Sequence, residues 1–236
     1  MSNDNPTKRP CAVVTGSSSG IGQCIAEHLL QSGWQVIGLD MAPPTTLHPN
    51  LRTVQVDLAD HAAIMLISTD LTNISAFVHA AGVLRVGHLG ELDPMNGELM
   101  WQIHTQAAIS LANVLIPRMR KQKYGRAVFI GSRVAQGMPG RSQYAATKAA
   151  VIALARSWAS EVASAGVTVN VVSPAATQTT MLSDPARATS APRLPPLGRL
   201  IQPQEIAELV AFLLSPSAAA ITGQDIAICG GASLPQ

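Results

Sequence analysis

Short apolar runs and amphipathic stretches alternate along nearly the whole chain. Cys11-Ala12-Val13-Val14-Thr15 has no polar face, the pattern of a strand buried on both sides. A Gly/Ser turn follows, then helical spacing of apolar positions from Ile21 to Ser32, which Gly33 ends. Trp34 to Leu39 predicts a second strand closing on Asp40, and Met41 to Asn50, rich in proline, predicts a loop. Leu51 to Val56 reads as a third strand ended by Asp57, His61 to Thr69 as a short helix, and Ala76 to Ala80 as a fourth strand ending at Ala81-Gly82.

The second half repeats the rhythm with longer helices. Asn96 to Gln122 predicts one long helix with a break near its end at Pro117. Arg126 to Ile130 predicts a fifth strand, Ser142 to Ala165 an alanine-rich helix, and Val167 to Val172 a sixth strand. Pro174 to Pro203 is too proline-rich for regular structure, and an excursion of that length inside a compact domain is usually functional. Gln204 to Leu214 predicts a last helix and Asp225 to Cys229 a last strand. Strict alternation with short connections implies an α/β fold: a doubly wound, mainly parallel sheet with helices on both faces. No linker or repeat interrupts it. Residues 10–236 therefore read as one domain behind a polar tail (1–9), with a substrate lid at 182–200.

Composition narrows the function classes. A hydrophobic fraction of 47% against 13% charged, over 236 residues, supplies a large core. A net charge of +2 gives no reason to invoke nucleic acid or an anionic membrane. The basic cluster Arg118, Arg120, Lys121 and Lys123 reads as a solvated helix end. No apolar stretch is long enough to span a bilayer, and the polar start lacks a signal core. Cys11, Cys24 and Cys229 form no paired motif, so they read as buried small hydrophobes in a reducing cytoplasm, and no metal site is expected.

Chemistry enters at the first turn. Thr15-Gly16-Ser17-Ser18-Ser19-Gly20-Ile21-Gly22 lies between a buried strand and a helix. Gly16 allows a tight turn, Gly20 lets backbone approach a pyrophosphate, and Gly22 lets helix and strand pack closely, the signature of a dinucleotide-binding Rossmann fold. Asp40 ends the second strand, where a carboxylate would accept hydrogen bonds from the adenosine ribose and repel a 2′-phosphate. No Arg or Lys stands in the glycine turn or directly after Asp40. NAD is therefore expected over NADP, with Asp57 a weaker adenine contact.

Tyr144 and Lys148 are four apart, on one face of a predicted helix. An ammonium beside a phenol favours the phenolate, allowing proton exchange near neutral pH. Ser132, ending the fifth strand, could donate a hydrogen bond to a reacting oxygen. Glycine turn, Ala80-Ala81-Gly82, Ser132 and the Tyr144/Lys148 pair, in this order, resemble the short-chain dehydrogenase/reductase family. Ser173-Pro174, Pro195 to Arg199, Ile221 to Gln224 and Gly230-Gly231 extend the resemblance to residues 10–234. It implies that Tyr144 is the general acid/base, that Lys148 lowers its pKa and binds the nicotinamide ribose, and that Ser132 polarises the reacting oxygen. It also implies that Thr179 contacts the carboxamide, and that a homotetramer or homodimer forms on the two long helices. The expected cofactor-binding set is Gly16, Ser18, Ser19, Ile21, Asp40, Asp57, Leu58, Ala81, Gly82, Thr177 and Thr179, with Tyr144 and Lys148.

The chain departs from the family pattern at four places. His79 stands where the family has Asn, Ala175 follows Pro174 in place of Gly, and Cys229 replaces an Asp before Gly230-Gly231. His104 takes the position of the catalytic Asn, which is thought to hold a water that leads protons from the lysine to solvent. A histidine can hold water and relay protons too.

For the substrate, Arg133 and Arg141 flank the reacting position, with Arg193 and Arg85 further candidates. Arginine forks suit carboxylates, which points to a small anionic hydroxy compound. Low aromatic content (3%) disfavours a flat polycyclic substrate. Ala80 to Arg85, Val171 to Pro174 and Ile221 to Asp225 are similar to 2,3-dihydro-2,3-dihydroxybenzoate dehydrogenases, and sugar-acid dehydrogenases would satisfy the arginines equally well. Neutral polyols, 3-oxoacyl-type ketones and a non-catalytic NADH sensor are the other readings.

Overall fold

The computed structural model describes residues 9–183 and 193–234. The predicted lid (182–200) therefore falls partly, at 184–192, and the tail almost wholly, at 1–8, outside the described residues. Seven strands, β1 (Cys11–Thr15), β2 (Gln35–Asp40), β3 (Leu51–Gln55), β4 (Ala76–His79), β5 (Gly125–Ile130), β6 (Val167–Pro174) and β7 (Asp225–Ile228), make one sheet in the order β3-β2-β1-β4-β5-β6-β7. Every pairing is parallel, so the "mainly parallel" expectation becomes a wholly parallel sheet.

Alternation within the strands feeds two cores. Val13 points to a layer closed by α4 (Ala107–Gln122) and α5 (Ser142–Val162), through Leu111, Leu115, Met119, Val151 and Ala155. Ala12 and Val14 point to the opposite layer, closed by α1 (Gly20–Gln31) and α6 (Pro203–Leu214), through Ile25, Leu29, Ile206 and Val210. The helical residues recur every three or four positions, so each helix turns one stripe inward. Complete burial of one such leucine contributes roughly 1.5–3 kcal/mol. The smaller α2 (His61–Ser68) starts under the Asp60 side chain, which accepts from Ala63 N–H at 3.0 Å.

The predicted long helix needs correction. It is α3 (Pro94–Trp101), a π-helical segment (Gln102–Gln106) and α4 in unbroken succession, and Pro117 does not break it. Pro117 and Asn113, whose carbonyl loses its donor, both lie on the exposed face, while Leu115, Ile116 and Met119 anchor the turn in the core. The helix ends at Lys123, which adopts φ 55°. Arg118 is not merely solvated: its guanidinium donates to the Ser68 and Leu71 carbonyls at 2.9 and 2.7 Å. The three cysteines are partly exposed, not buried as expected. Among the described residues no helix is long and apolar enough to cross a membrane, and no cluster of His, Cys, Asp and Glu could hold a metal ion.

Candidate active site

Strand order reverses between β1 and β4, and the carboxyl ends of β1, β4, β5 and β6 open there onto a cleft of about 930 Å³. The turn after β1 brings the backbones of two strands nearly into contact. Gly16 has φ +68°, and a Cβ on it would lie 2.9 Å from Ala81 Cα; one on Gly22 would overlap the Gly16 oxygen. Only glycine fits, so backbone amides at the start of α1 are left open to the cleft. Ser19, Gly20, Ile21 and Gly22 line it, with no acidic residue in the first turn to oppose an anion. This cradle fits the pyrophosphate of a dinucleotide.

Asp40, the last residue of β2, is tied to the glycine turn. Its carboxylate accepts from Ser18 N–H and Ala42 N–H, both at 2.9 Å, and it lines a smaller adjoining cavity of about 180 Å³ with Ser18. Ala81, Gly82, Thr177 and Thr179 of the expected cofactor set line the main cleft. Asp57 and Leu58 line neither cavity. The Asp57 carboxylate accepts from Ala59 N–H at 2.8 Å, and Leu58 is buried in the core.

Ser132, Tyr144 and Lys148 come together on the same cleft. Ser132 follows β5 and caps a short 3₁₀ turn (Arg133–Gln136), its Oγ accepting from Val134 N–H at 3.1 Å. With that acceptor site used, the hydroxyl proton can be donated to a reacting oxygen. Lys148 is 4% exposed; its Nζ donates to the Ile130 carbonyl at 2.8 Å and lies 5.9 Å from the Tyr144 ring centre. Burial brings its pKa down to about 8, so it stays mostly charged at neutral pH beside the Tyr144 ring.

His104 is placed behind the cleft, not on it. It lies in the π-helical segment, fully buried, with its ring edge-on to Tyr144 at 5.3 Å between centres. Nε2 accepts from Val83 N–H at 3.0 Å, and Nδ1 pairs with Thr147 Oγ1 at 2.8 Å. Both ring nitrogens are therefore taken by protein groups, and the water relay expected of His104 has no free nitrogen to work through. Burial, then the Lys148 charge and His79, hold its pKa well below the ordinary histidine value.

His79 is more than a departure from a family pattern. Its Nε2 faces the Ile103 carbonyl at 3.1 Å, inside the π-helical segment, and its Nδ1 faces Thr15 Oγ1 at 3.0 Å. Thr15 Oγ1 in turn accepts from Ala80 N–H and Ala81 N–H, both at 3.0 Å. The carbonyl can only accept, so Nε2 carries the proton and Thr15 donates to Nδ1. Burial pulls the His79 pKa down to about 3. Thr15, Thr147 and the amide of Val83 are the participants that sequence reasoning missed, because their partners are far away in the chain.

Arg133, Arg141 and Arg193 all line the cleft, while Arg85 does not, its guanidinium donating to the Leu84 carbonyl at 3.0 Å. No Asp or Glu lines the cleft among the described residues. Leu84, Val134, Met138, Met181 and Leu194 add apolar wall. An arrangement of this kind can exchange a proton at a substrate oxygen while holding a negatively charged group nearby.

Comparison with known proteins agrees with this geometry. A family profile described as enoyl-(acyl carrier protein) reductase matches residues 16–233. The chain is 35% identical over 234 residues to the 3-oxoacyl-(acyl-carrier-protein) reductase of Vibrio cholerae, covering 93% of this chain and 96% of that protein. It is 34% identical over 238 residues to the 2,3-dihydro-2,3-dihydroxybenzoate dehydrogenase of Escherichia coli K12, covering 94% of this chain and 96% of that protein. A solved structure described as a short chain dehydrogenase/reductase family protein superposes with a TM-score of 0.89 at 30% identity, covering 96% of this chain and 98% of the other.

Proposed function

The chain belongs to the short-chain dehydrogenase/reductase family of nicotinamide-dependent oxidoreductases, and from that premise we propose that it oxidises or reduces a small anionic substrate at a secondary alcohol or ketone, with NAD as its cofactor. The observation that carries the proposal is the convergence of the glycine cradle, Ser132, Tyr144 and Lys148 on one cleft whose described walls hold three arginines and no acid.

The cofactor, when bound, supplies the hydride acceptor or donor. Every other role falls to the chain's own residues. The glycine turn and the start of α1 receive the pyrophosphate, and Asp40 receives the ribose hydroxyls and disfavours a 2′-phosphate. Ser132 donates to the reacting oxygen, and Tyr144 takes its proton during oxidation or returns it during reduction. Lys148 stabilises the phenolate formed on the way. Arg133, Arg141 and Arg193 orient the substrate's negative group. Assembly into a dimer or tetramer through α3–α4 and α5 belongs to the same reading; Trp101, 42% exposed on α3, supports it.

A second reading is reduction of 3-oxoacyl ketones. The Vibrio cholerae relative and the apolar wall of Leu84, Met138, Met181 and Leu194 favour it. One panel separates the two: NAD- and NADP-linked turnover of sugar acids, dihydrodiol carboxylates, their neutral analogues and 3-oxoacyl thioesters. A preference of about tenfold or more in kcat/KM for carboxylates over neutral analogues is expected from a charge-assisted contact. Equal turnover of the neutral compounds would sink the anionic substrate, and activity confined to the thioesters would establish the second reading.

A further inference from the structure

His104 sits at the junction of three parts of the active site. It is in the π-helical segment, its ring lies against Tyr144, and its nitrogens reach the loop after β4 and the first turns of α5. The hydrogen-bond directions fix its proton. Val83 N–H can only donate, so Nε2 is bare; a neutral ring must then carry its proton on Nδ1 and give it to Thr147 Oγ1. Thr147 passes its own proton to the Tyr144 carbonyl at 2.8 Å, so the chain of donors ends on the backbone of Tyr144 itself. A second proton on the ring would have to break the Val83 bond, in a site that already faces the Lys148 ammonium and the neutral His79.

We propose that His104 is a positioning residue: a neutral Nδ1–H imidazole that ties Tyr144 and the first turns of α5 to the Ala81–Val83 loop, and that carries no proton during turnover. The idea rests on the oxidoreductase reading of the cleft. It replaces the hydration function of the family Asn with direct protein contacts on both sides of the ring. His79, at the end of β4, performs the matching task on the neighbouring residue, holding the Ile103 carbonyl of the π-helical segment. Proton traffic from Tyr144 then has only its cleft side, where Lys148 lies, and not the α3–α4 side.

The deciding experiment is nitrogen-15 NMR of histidine-labelled full-length protein from pH 6 to pH 9, the His104 signals being those missing from His104→Gln. A single neutral tautomer protonated on Nδ1 throughout that range is expected. An Nε2-protonated ring, or titration within the range, overturns the proposal. This readout holds whether or not a substrate is found, so it separates failure of the clamp from failure of the oxidoreductase reading. Kinetics provide the second arm. A glutamine amide can accept from Val83 and donate to Thr147, so His104→Gln should stay within about threefold of wild-type kcat. His104→Ala, and Thr147→Val, which leaves no cavity, should lose about 10–100-fold in kcat with the KM for NAD little changed, as expected for a misplaced acid/base. Added imidazole should not restore His104→Ala. Imidazole rescue, Gln as damaging as Ala, or Thr147→Val at wild-type kcat would each mean that the ring moves protons or holds nothing.

Discussion

Removing one oxygen from Tyr144 should separate chemistry from binding. Tyr144→Phe keeps the ring against His104 and Lys148 but has no proton to exchange, so turnover should fall by at least about 10³-fold while the NADH dissociation constant, read by fluorescence titration, changes less than about threefold. Loss of NADH binding in that variant would mean that the ring belongs to the cofactor seat. Asp40→Ala should do the opposite. It removes the carboxylate that accepts from Ser18 and Ala42, so NADH binding should weaken by about tenfold and the preference over NADPH should shrink or invert. Unchanged discrimination would assign the selectivity elsewhere. These residues were legible because their chemistry is local: a strand end for Ser132 and Asp40, and an i, i+4 spacing for Tyr144 and Lys148. His104 was legible only as an oddity. What it does is set by Val83 and Thr147, which lie 21 and 43 positions away.

At the scale of elements, the link between β4 and the π-helical segment makes acid the agent that loosens the site. His79 is neutral in the fold, with a pKa of about 3 against 6.5 for a histidine in the unfolded chain, and His104 is shifted in the same direction. Below pH 6.5 the unfolded chain binds protons that the folded chain refuses, so stability falls as pH falls through that value and continues to fall toward 3. Between about pH 7.5 and 5 His79 should contribute a loss of about 2 kcal/mol, with His104 acting in the same direction. Urea unfolding at the two pH values checks this: His79→Asn should be about 2 kcal/mol less acid-sensitive than wild type, and equal sensitivity would place the acid-labile groups elsewhere. The seven strands and the main helices were readable from apolar runs and helical periodicity within three residues at their ends. The π-helical segment was not, because hydrophobic spacing carries no record of a hydrogen-bond register held by a side chain from another strand. Pro117 misled for the converse reason. It costs one backbone hydrogen bond, but Pro117 and Asn113 lie on the exposed face while Leu115, Ile116 and Met119 hold the turn in the core, so the helix runs on.

For the molecule as a whole, the glycine turn is the point at which two halves of the sheet meet, and it should tolerate no added atom. Gly22→Ala would drive a methyl into the Gly16 carbonyl, so loss of dinucleotide binding together with a lower thermal midpoint is expected, and NADH binding at wild-type affinity would show that the turn can open. Size-exclusion chromatography with light scattering tests the assembly expected on α3–α4 and α5: a dimer or tetramer mass supports it, and a monomer mass removes it. The hydrogen bonds at this meeting point also bear on how the protein can be re-engineered. Thr15 belongs to the front, nucleotide-facing portion of the chain, whereas the amides of Ala80 and Ala81 and the ring of His79 arrive 64 to 66 residues later. A chimaera that borrows its front portion from a relative to change cofactor preference would cut this trio whenever the crossover falls between them. Crossovers placed after Gly82 transplant the joint intact, and those placed before Ala76 ask a foreign threonine to satisfy a histidine it never evolved beside.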